Sequence, residues 1–414
     1  MNRKDHAKLS AIQDGKGETL SLETAHDDLR LGPTSEDNIG QVVGQRIREA
    51  RKAAGLSLEA MAQRVGISVP QLSKLENGKS TASIRSVAKI AVELQRPPNY
   101  FLLSDSEMAR SLGTLVPSWD PEGRAIEKFA ELVGTKTDSR VTMVVFPAAQ
   151  LGSAATQVQA LTNGAIDLFA ESLSFFEGFS DPLRLASLPF CFTSEAHYER
   201  FQASPLFHVE VRNALRANSV EVLNPTLKWR RGPSVVLISK KLITSPDELR
   251  GARIRCSENK TIFAYLQRLG CEPVVVPWAQ VEDAFEAGHI DSMITNLSHV
   301  VSMHFTRFAR FMTQLDYRPL DLSFAMNRQR YQMLSPALQE GLNEAAAEAG
   351  QYCVNLMNQA ANQLPKLLDQ DRAVLVKAAA APWHARSLAI FDDLERAGCW
   401  RKGLLGEFRS LVDD

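Results

Sequence analysis

Basic side chains are concentrated in one short part of the chain. Residues 41 to 96 carry ten Lys and Arg against four Glu and no Asp, a local charge of +6, although all 414 residues together sum to −1. A cluster of cations on this scale suits the phosphate groups of a nucleic acid. The remainder of the chain is therefore acidic on balance, and the basic segment needs an explanation of its own.

Residues that could perform catalysis or hold a metal form no familiar pattern. The five cysteines are Cys191, Cys256, Cys271, Cys353 and Cys399, never in CxxC spacing, which is typical of free thiols in a reducing compartment. The sequence contains no HExxH motif, no GxSxG motif and no glycine-rich phosphate loop. We therefore expect no catalytic residues, no metal and no cofactor, and predict that the protein is not an enzyme.

Four short helices are predicted in the basic segment. Serines that precede apolar runs are expected to be N-caps at Ser57, Ser68 and Ser83, and Gly66 is expected to end the second helix. The second and third helices meet across the turn GIS, with apolar residues recurring where they would face inward. This spacing is that of a helix-turn-helix, a unit that places its second helix in the major groove of DNA.

The stretch LSLEAMAQRVGISVPQLSKLENGKS resembles the helix-turn-helix of the Cro and phage-repressor class, the xenobiotic-response-element (XRE) class of bacterial regulators. The resemblance implies seven DNA-contacting residues: Val69, Pro70, Gln71, Ser73, Lys74, Asn77 and Lys79. Lys74 is the hydrogen-bonding reader of bases among them, and Asn77 and Lys79 hold phosphates. Arg46 and Arg51 would join the phosphate contacts if they were exposed.

One position departs from this resemblance. The class commonly has a Gln that holds a phosphate two residues after the position of Leu56, and this chain has Leu58. We expect either weaker DNA binding or a substitute contact from Ser57. The alternative for the whole segment is a small helical bundle that binds another protein, with an antitoxin-like or oligomerising role. We favour DNA binding, because the helix caps, the turn, the apolar pattern and the positive charge of the segment all fit a DNA-binding helix-turn-helix.

The chain divides into three parts by composition. Residues 1–38 are polar and small and are predicted to be a disordered tail, and residues 39–104 form the helix-turn-helix domain. Residues 112–414 alternate short apolar runs with amphipathic stretches and become helical after about residue 333, which indicates an α/β domain with buried strands. The sequence lacks an apolar run of signal-peptide or membrane-spanning length, so we expect a cytoplasmic location.

Four segments of the large region occur in a characteristic order. They are AAQLGSAATQVQALTNGAIDL at 148–168, LASLPFCF at 185–192, SPDELRGARIRC at 245–256 and LGCEPVVVPWAQVEDAFEAGHIDSM at 269–293. They resemble the periplasmic solute-binding proteins of tripartite ATP-independent (TRAP) transporters, the DctP type, which capture carboxylic acids between two lobes. The resemblance implies a two-lobed α/β, periplasmic-binding-protein-like domain with a helical C-terminal section, whose second lobe spans about 233–316.

The same resemblance implies a carboxylate-binding site. Arg255 matches the arginine that forms a two-pronged salt bridge with the ligand, a role that suits a planar guanidinium with parallel donors. Trp278 matches an aromatic wall of the cleft, and Glu171 follows the strand AIDLF toward the same space. Asn296 and Arg231 complete the predicted set. The alternative for Arg255 is a structural arginine that is paired with an acidic neighbour.

Two positions depart from the pattern of this family. Its second ligand-binding arginine aligns with Val235, so that Arg231 is only a nearby substitute. Its Gly-Gln-Glu-Asn run reads Ser-Met-Ile-Thr at residues 292–295. The pattern therefore leaves open which ligand is bound and whether binding is retained.

Together, the two resemblances predict a one-component bacterial transcription regulator. A small organic acid binds between the lobes and closes them about a hinge. We expect a homodimer on a double-stranded DNA operator, because helix-turn-helix proteins usually meet two half-sites. The alternatives are a cytoplasmic enzyme or ligand-binding protein with a regulatory DNA-binding appendage, and a ligand-independent repressor that dimerises through its large region.

Overall fold

The computed structural model describes residues 36–80, 83–94, 96, 101, 110–192, 194–223, 231–315 and 321–411. Most of the predicted tail, residues 1–35, lies outside this range. The last three residues of that tail, 36–38, are helical rather than disordered, because the first helix already begins at Glu36. Among the described helices, none combines the length and the apolar character that are needed to cross a membrane.

Four α-helices lie in the described part of the front domain, and the second, third and fourth begin directly after the serines that are expected to be N-caps. They are α1 (Glu36–Ala53), α2 (Leu58–Val65), α3 (Val69–Glu76) and α4 (Ile84–Glu93). The hydroxyl oxygens of Ser57, Ser68 and Ser83 accept N–H groups from the first turns of α2, α3 and α4. Gly66 ends α2 with a φ of 73°, a left-handed conformation that glycine adopts easily. The helix-turn-helix prediction is confirmed by α2 and α3.

The front domain has an apolar core of its own, and α1 approaches α3 closely. The core includes Val43, Ile47, Met61, Ala62, Val65, Leu72, Leu75 and Ile90. A Cβ atom placed on Gly44 of α1 would lie 2.2 Å from the carbonyl oxygen of Leu75 in α3. Glycine is therefore required at this position for α1 to pack against the predicted DNA-reading helix.

The described part of the large region contains two β-sheets. Their strands are β1 (Arg110–Gly113), β2 (Met143–Phe146), β3 (Leu168–Glu171), β4 (Val220–Val222), β5 (Val235–Ser239), β6 (Arg253–Cys256), β7 (Glu272–Val275), β8 (Ser292–Asn296), β9 (Phe311–Leu315), β10 (Ser323–Asn327) and β11 (Val374–Lys377). Strands β5 and β10 are buried along their whole length, as expected for strands that are covered on both faces.

Helices cover both sheets and fill the C-terminal section. They are α5 (Pro121–Lys136), α6 (Ala154–Thr162), α7 (Asp181–Ala186), α8 (Glu195–Ala203), α9 (Arg212–Ala217), α10 (Lys260–Arg268), α11 (Val281–Glu286), α12 (Leu297–Ser302), α13 (Arg328–Gln332), α14 (Pro336–Ala361), α15 (Leu364–Asp371), α16 (Ala380–Arg396) and α17 (Leu404–Ser410). Segments of 3₁₀-helix lie at Leu173–Phe179, Pro246–Leu249, Trp278–Gln280 and Phe305–Arg307, and a π-helical segment lies at Leu206–Val211. The predicted helical C-terminal section is thus present.

Each sheet belongs to one lobe. The first-lobe sheet has the strand order β2-β1-β3-β10-β4, with β1 parallel to β2 and β3 and with β10 antiparallel to both of its neighbours. The second-lobe sheet has the order β11-β9-β5-β8-β6-β7, in which β6 runs parallel to β7 and β8. Ligands of open parallel sheets lie beyond the carboxyl ends of the strands. Residues that follow β3, β6 and β8 are therefore the ones positioned to line a cleft.

The chain passes between the lobes more than once. It leaves the first lobe between β4 and β5, returns between β9 and β10, and reaches β11 of the second lobe after α14 and α15. The second lobe therefore includes a strand, β11, that lies outside the predicted range 233–316. Helix α14 packs along α5 of the first lobe and α12 of the second lobe. The predicted two-lobed α/β architecture is confirmed.

Candidate functional site

The predicted DNA-contacting residues share an accessible face of the front domain. Pro70, Gln71, Lys74, Asn77 and Lys79 are exposed, and Val69 and Ser73 are half-buried. Three of them, Pro70, Gln71 and Lys74, line a concave surface between α3 and the beginning of α4. Helix α3 thus presents polar and cationic groups to solvent, as a helix that enters the major groove must. Contact with DNA stays a prediction for all seven.

Arg51 is buried and cannot hold a phosphate. Its Nε and Nη2 donate to the two carboxylate oxygens of Glu76 at 2.6 and 2.8 Å, and its Nη1 donates to the carbonyl oxygen of Leu56 at 2.8 Å. The bond to Glu76 raises the pKa of Arg51 against the opposing effect of burial. Arg51 therefore ties α1 to the end of α3, while Arg46 is half-buried. A phosphate contact from Arg51 depends on an exposed side chain, and this condition is not met, since the side chain is buried and its donors are bonded in the interior.

Arg255 lies in β6, is half-buried, and lines the cleft between the lobes. Its Nε donates to the carbonyl oxygen of Val276 at 3.0 Å, and its Cζ lies 5.5 Å from the centroid of the Trp278 ring. Neither Nη nitrogen has a hydrogen-bond or ion-pair partner among the described residues. Burial lowers the pKa of Arg255 to about 10, and the weaker opposing effect of the Glu171 and Glu258 charges does not offset it. The group remains charged at neutral pH, and the described residues do not form the acidic pairing of the structural alternative.

Arg255 and Ser257 line two cavities at the cleft. The larger cavity encloses about 120 Å³ and extends from Ser172, directly after β3, to the end of β6. The smaller cavity encloses about 40 Å³ and is walled by Trp278, Phe175 and the first residues of α6. The structure therefore brings Arg255 and Trp278 together beside an enclosed space, as the predicted carboxylate site requires.

Arg231 lies on the connection between β4 and β5 and is bonded to carboxylates of the protein itself. Its Nη2 contacts Oε1 of Glu122 at 2.6 Å and also Oε2 of Glu171. All three side chains are buried, with Glu122 in the first turn of α5 and Glu171 at the end of β3. Burial would lower the pKa of Arg231, but the two carboxylates raise it above its ordinary value. Two predicted ligand residues, Arg231 and Glu171, are thus bound to each other, and a ligand would have to share this pair.

His299 of α12 extends this group of charges. Its Nε2 lies 3.3 Å from Oε2 of Glu122 and 3.9 Å from Oδ1 of Asp120. Burial would lower the pKa of His299, but the contact with Glu122 and the charges of both carboxylates outweigh it and raise the pKa. The His299 and Trp278 ring centroids are 5.1 Å apart, so the group adjoins the aromatic wall of the cleft. We refer to Asp120, Glu122, Glu171, Arg231 and His299 as the interlobe charge cluster.

Several buried polar atoms around this cluster have no partner in hydrogen-bonding geometry within the described ranges. They are Oε2 of Glu122, Nε of Arg231, Nε1 of Trp278, Oδ1 of Asn296 and Nε2 of His299. Buried polar groups of native proteins are nearly always bonded to protein or to ordered water. The set includes both donors and acceptors, and Asn296 lies at the end of β8, three residues before His299.

Three residues of the interlobe charge cluster are close enough to share a metal ion. Ligand atoms of Asp120, Glu122 and His299 all lie within 4.8 Å of one another. However, Glu122 is bonded to Arg231, and Asp120 accepts the N–H of Glu122 at 2.9 Å and the hydroxyl of Ser302 at 2.8 Å. With these bonds in place, we interpret the group as an ion-pair network.

Asp120, Glu122 and His299 are not among the site residues predicted from the sequence. Asp-Pro-Glu at residues 120–122 is an ordinary helix beginning, and Asp120 does cap α5 by accepting the N–H of Glu122. His299 lies in the apolar stretch LSHVV with no charged residue beside it. Neither segment carries a local signal, because the cluster exists only where the two lobes meet.

Each lobe caps a helix of the other with a carboxylate. Oε1 of Glu177, in the first lobe, accepts the N–H of Lys260 at the beginning of α10 at 2.6 Å. Oε2 of Glu258, in the second lobe, accepts the N–H of Ala155 in the first turn of α6 at 3.2 Å. Helix N-termini favour carboxylates because their N–H groups are unpaired and the helix dipole is positive there. These reciprocal caps join the two lobes, and we refer to the arrangement in which both bonds are formed as the closed arrangement.

The fold and the site define a two-lobed solute-binding domain that is preceded by a helix-turn-helix domain. The sequence pattern of the family described as bacterial extracellular solute-binding protein, family 7 (DctP), matches residues 112–396, and the chain belongs to this family. A helix-turn-helix pattern (HTH_3) matches residues 47–101. Both resemblances that were drawn from the sequence are confirmed.

Proteins similar to this chain include several that are named as solute-binding or substrate-binding proteins. An uncharacterized protein of Haemophilus influenzae is 27% identical over 67% of this chain and 84% of its own length. The 2,3-diketo-L-gulonate-binding periplasmic protein YiaO of Escherichia coli is 26% identical over 56% of this chain and 70% of its own length. The structure of a TRAP periplasmic solute-binding protein of Roseobacter denitrificans, solved with β-D-glucuronate, aligns with a TM-score of 0.65 at 20% identity. The alignment covers 72% of this chain and 98% of that protein. At this identity the similarity shows the fold alone.

Proposed function

We propose that this protein is a one-component transcription regulator that binds DNA through α3 and senses a small organic acid between its lobes. One observation carries the proposal: a single chain combines an exposed basic helix-turn-helix with a solute-binding domain whose half-buried Arg255 lines the cleft. Within the described residues, no carboxylate forms an ion pair with this arginine. A protein that captures solute for a transporter has no use for a DNA-binding domain. A cytoplasmic location, where DNA is accessible, is part of the proposal.

The ligand is an organic acid because of the chemistry that Arg255 offers. A guanidinium at the end of a strand can hold a carboxylate with two parallel charge-assisted hydrogen bonds. The similar proteins YiaO and that of Roseobacter denitrificans are named for, or contain, a sugar acid. Trp278 supplies an aromatic wall beside the guanidinium, and the reciprocal caps join the two lobes.

Ligand binding acts on DNA binding through the relative position of the lobes. An acid that contacts Arg255 of the second lobe and also residues of the first lobe favours the closed arrangement. It shifts the ratio of closed to open molecules by at most the ratio of its affinities for the two arrangements. In a homodimer, closure changes how the two front domains are held and therefore how they fit two half-sites on DNA.

The test uses the full chain. Duplexes selected from a random DNA pool are titrated with the protein in the presence and absence of each member of a panel of organic acids. We expect at least one acid to change the DNA affinity, to raise the melting temperature of the protein and to be recovered unchanged. Because DNA binding that depends on phosphate contacts weakens with salt, the affinity should also fall as the salt concentration rises.

A pair of variants completes this test. Arg255→Ala should lose the response to the acid, whereas Arg253→Ala, which removes an exposed arginine from the same strand, should keep it. A protein that selects no DNA contradicts the proposal. So does a response to the acid that survives in Arg255→Ala.

A further inference from the structure

The larger cavity beside Arg255 has one cationic corner and a mostly apolar wall. Apolar side chains come from both lobes, among them Leu188, Phe192, Phe201, Ile254, Leu266 and Ile294. The enclosed volume of about 120 Å³ approaches that of an apolar protein cavity of about 150 Å³ that holds benzene. The space therefore suits a compact apolar group with about the size of a six-membered ring.

Polar groups of the cavity wall are largely bonded within the protein. The hydroxyl of Ser172 donates to Oδ1 of Asp321 at 3.0 Å, and the hydroxyl of Ser187 donates to the carbonyl oxygen of Arg184 at 2.8 Å. The carboxylate of Asp321 repels an anionic group at its own end of the cavity. The end that can receive an anion is therefore at Arg255, whose Nη nitrogens have no partner among the described residues.

We propose that the sensed ligand is a monocarboxylic acid with a compact apolar body, either aromatic or branched aliphatic. Its carboxylate lies against Arg255, and its body fills the cavity between Phe201 and Leu266. This inference rests on the proposed function, because it names the chemical class of the acid that the cleft takes up.

A sugar acid does not match this wall. Its several hydroxyl groups would lose their hydrogen bonds to water and would face carbon atoms, which offer none in exchange. A site built for such a ligand presents bonding partners to each hydroxyl, and a missing partner is strongly unfavourable to binding. An apolar body instead exchanges contact with water for contact with the aromatic and aliphatic side chains of both lobes.

The test measures binding to the full chain by isothermal titration calorimetry with phenylacetate, 4-methylpentanoate, D-glucuronate and the neutral phenylacetamide. We expect an apolar acid to bind, with D-glucuronate about tenfold weaker or more. Phenylacetamide should also be about tenfold weaker than phenylacetate, since it cannot form charge-assisted bonds with Arg255. If D-glucuronate binds most tightly, the apolar-body inference is wrong and the organic-acid proposal stands. If none of the three acids binds, the apolar-body inference is wrong. The panel of organic acids described under Proposed function then shows whether the protein senses any acid.

A cavity-filling variant tests the position of the apolar body. Ala186, the last residue of α7, lines the cavity and is half-buried, so Ala186→Leu should lower the affinity for phenylacetate by about tenfold. Ala347→Leu, at an exposed position of α14, should leave the affinity unchanged. A folded Ala186→Leu variant with full affinity would overturn the proposal. If this variant does not fold, the calorimetric comparison of the four compounds on the unmodified chain still tests the apolar-body inference.

Discussion

The side chains of the interlobe charge cluster depend on one another for their charge. Burial raises the pKa of the Asp120 and Glu171 carboxyl groups. For Glu122 the same effect of burial is outweighed by Arg231 and His299, and its pKa is lowered. Three carboxyl groups thus face one guanidinium and one imidazole, and a neutral His299 would leave a buried carboxylate without enough positive charge. Removal of one member of a buried charge network is typically strongly destabilising.

We predict that the stability of the large domain falls as the pH rises above 6.5. The pKa of folded His299 lies above its ordinary value of 6.5, so the folded state binds this proton more tightly than the unfolded state does. The stabilisation is complete below pH 6.5 and is lost as the pH rises through the folded pKa, by at most about 1.4 kcal/mol per pH unit. The raised pKa values of Asp120 and Glu171 give a loss of stability of the same sign, which begins as the pH rises above their ordinary values of 3.8 and 4.5.

Urea denaturation between pH 6.5 and 8.0, followed by tryptophan fluorescence, measures this effect. All five tryptophans follow residue 112, so the signal reports on the large domain alone. His299→Asn should remove most of the pH dependence, whereas His208→Asn, at an exposed position, should retain it. A midpoint urea concentration that is constant or rises with pH in the unmodified chain would contradict the assigned charge state.

Helices and strands could be predicted because neighbouring residues determine them. Ser57 and Ser68 bond backbone groups only three residues away, and β5 is a continuous apolar run. Arg255 and Trp278 were identified by family resemblance rather than by spacing. The pairing of Arg231 with Glu122 spans 109 positions and joins the connection between β4 and β5 to α5, so no local pattern could reveal it.

In the front domain, we predict opposite effects of one substitution at two positions of α1. Gly44→Ala would place a methyl group 2.2 Å from the Leu75 carbonyl oxygen, so α1 must move away from α3 at a cost of about 1–3 kcal/mol. At Gly40 the nearest atom to the added carbon is the carbonyl oxygen of Gly78 at 3.6 Å, an ordinary contact. Gly40→Ala should therefore stabilise the helix by about 0.5–1 kcal/mol.

Hydrogen exchange measured on peptides from α1 to α3 separates the two cases. Gly44→Ala should exchange faster across these helices and lose DNA affinity, because the domain opens more often. Gly40→Ala should exchange no faster than the unmodified chain and keep its DNA affinity. Equal exchange rates in the two variants would show that α1 and α3 do not approach closely in solution.

In the whole molecule, two kinds of contact hold the lobes together. The interlobe charge cluster is buried, so a change there disturbs folding as well as closure. The reciprocal caps of Glu177 and Glu258 are more accessible, since Glu177 is half-buried and Glu258 is exposed. A substitution at a cap can therefore shift the closed arrangement without leaving a buried charge unpaired.

We predict that Glu177→Gln shifts the lobes toward an open arrangement. A neutral amide bonds the N–H groups of Lys260 and Thr261 more weakly than a carboxylate does and loses the attraction of the helix dipole. The expected change is about 1 kcal/mol, or about fivefold in the ratio of closed to open molecules. Small-angle X-ray scattering should give a larger radius of gyration for this variant, and the matched variant Glu340→Gln, exposed in α14, should scatter like the unmodified chain.

The same variant tests whether closure controls DNA binding. An acid that closes the lobes must work against the shift in Glu177→Gln, so about fivefold more acid should be needed for the same change in DNA affinity. Scattering identical to that of the unmodified chain would show that the Glu177 cap does not hold the lobes closed. If the variant is more open but needs no more acid, lobe closure does not control DNA binding. The acid and DNA would then influence each other by a route other than the position of the lobes.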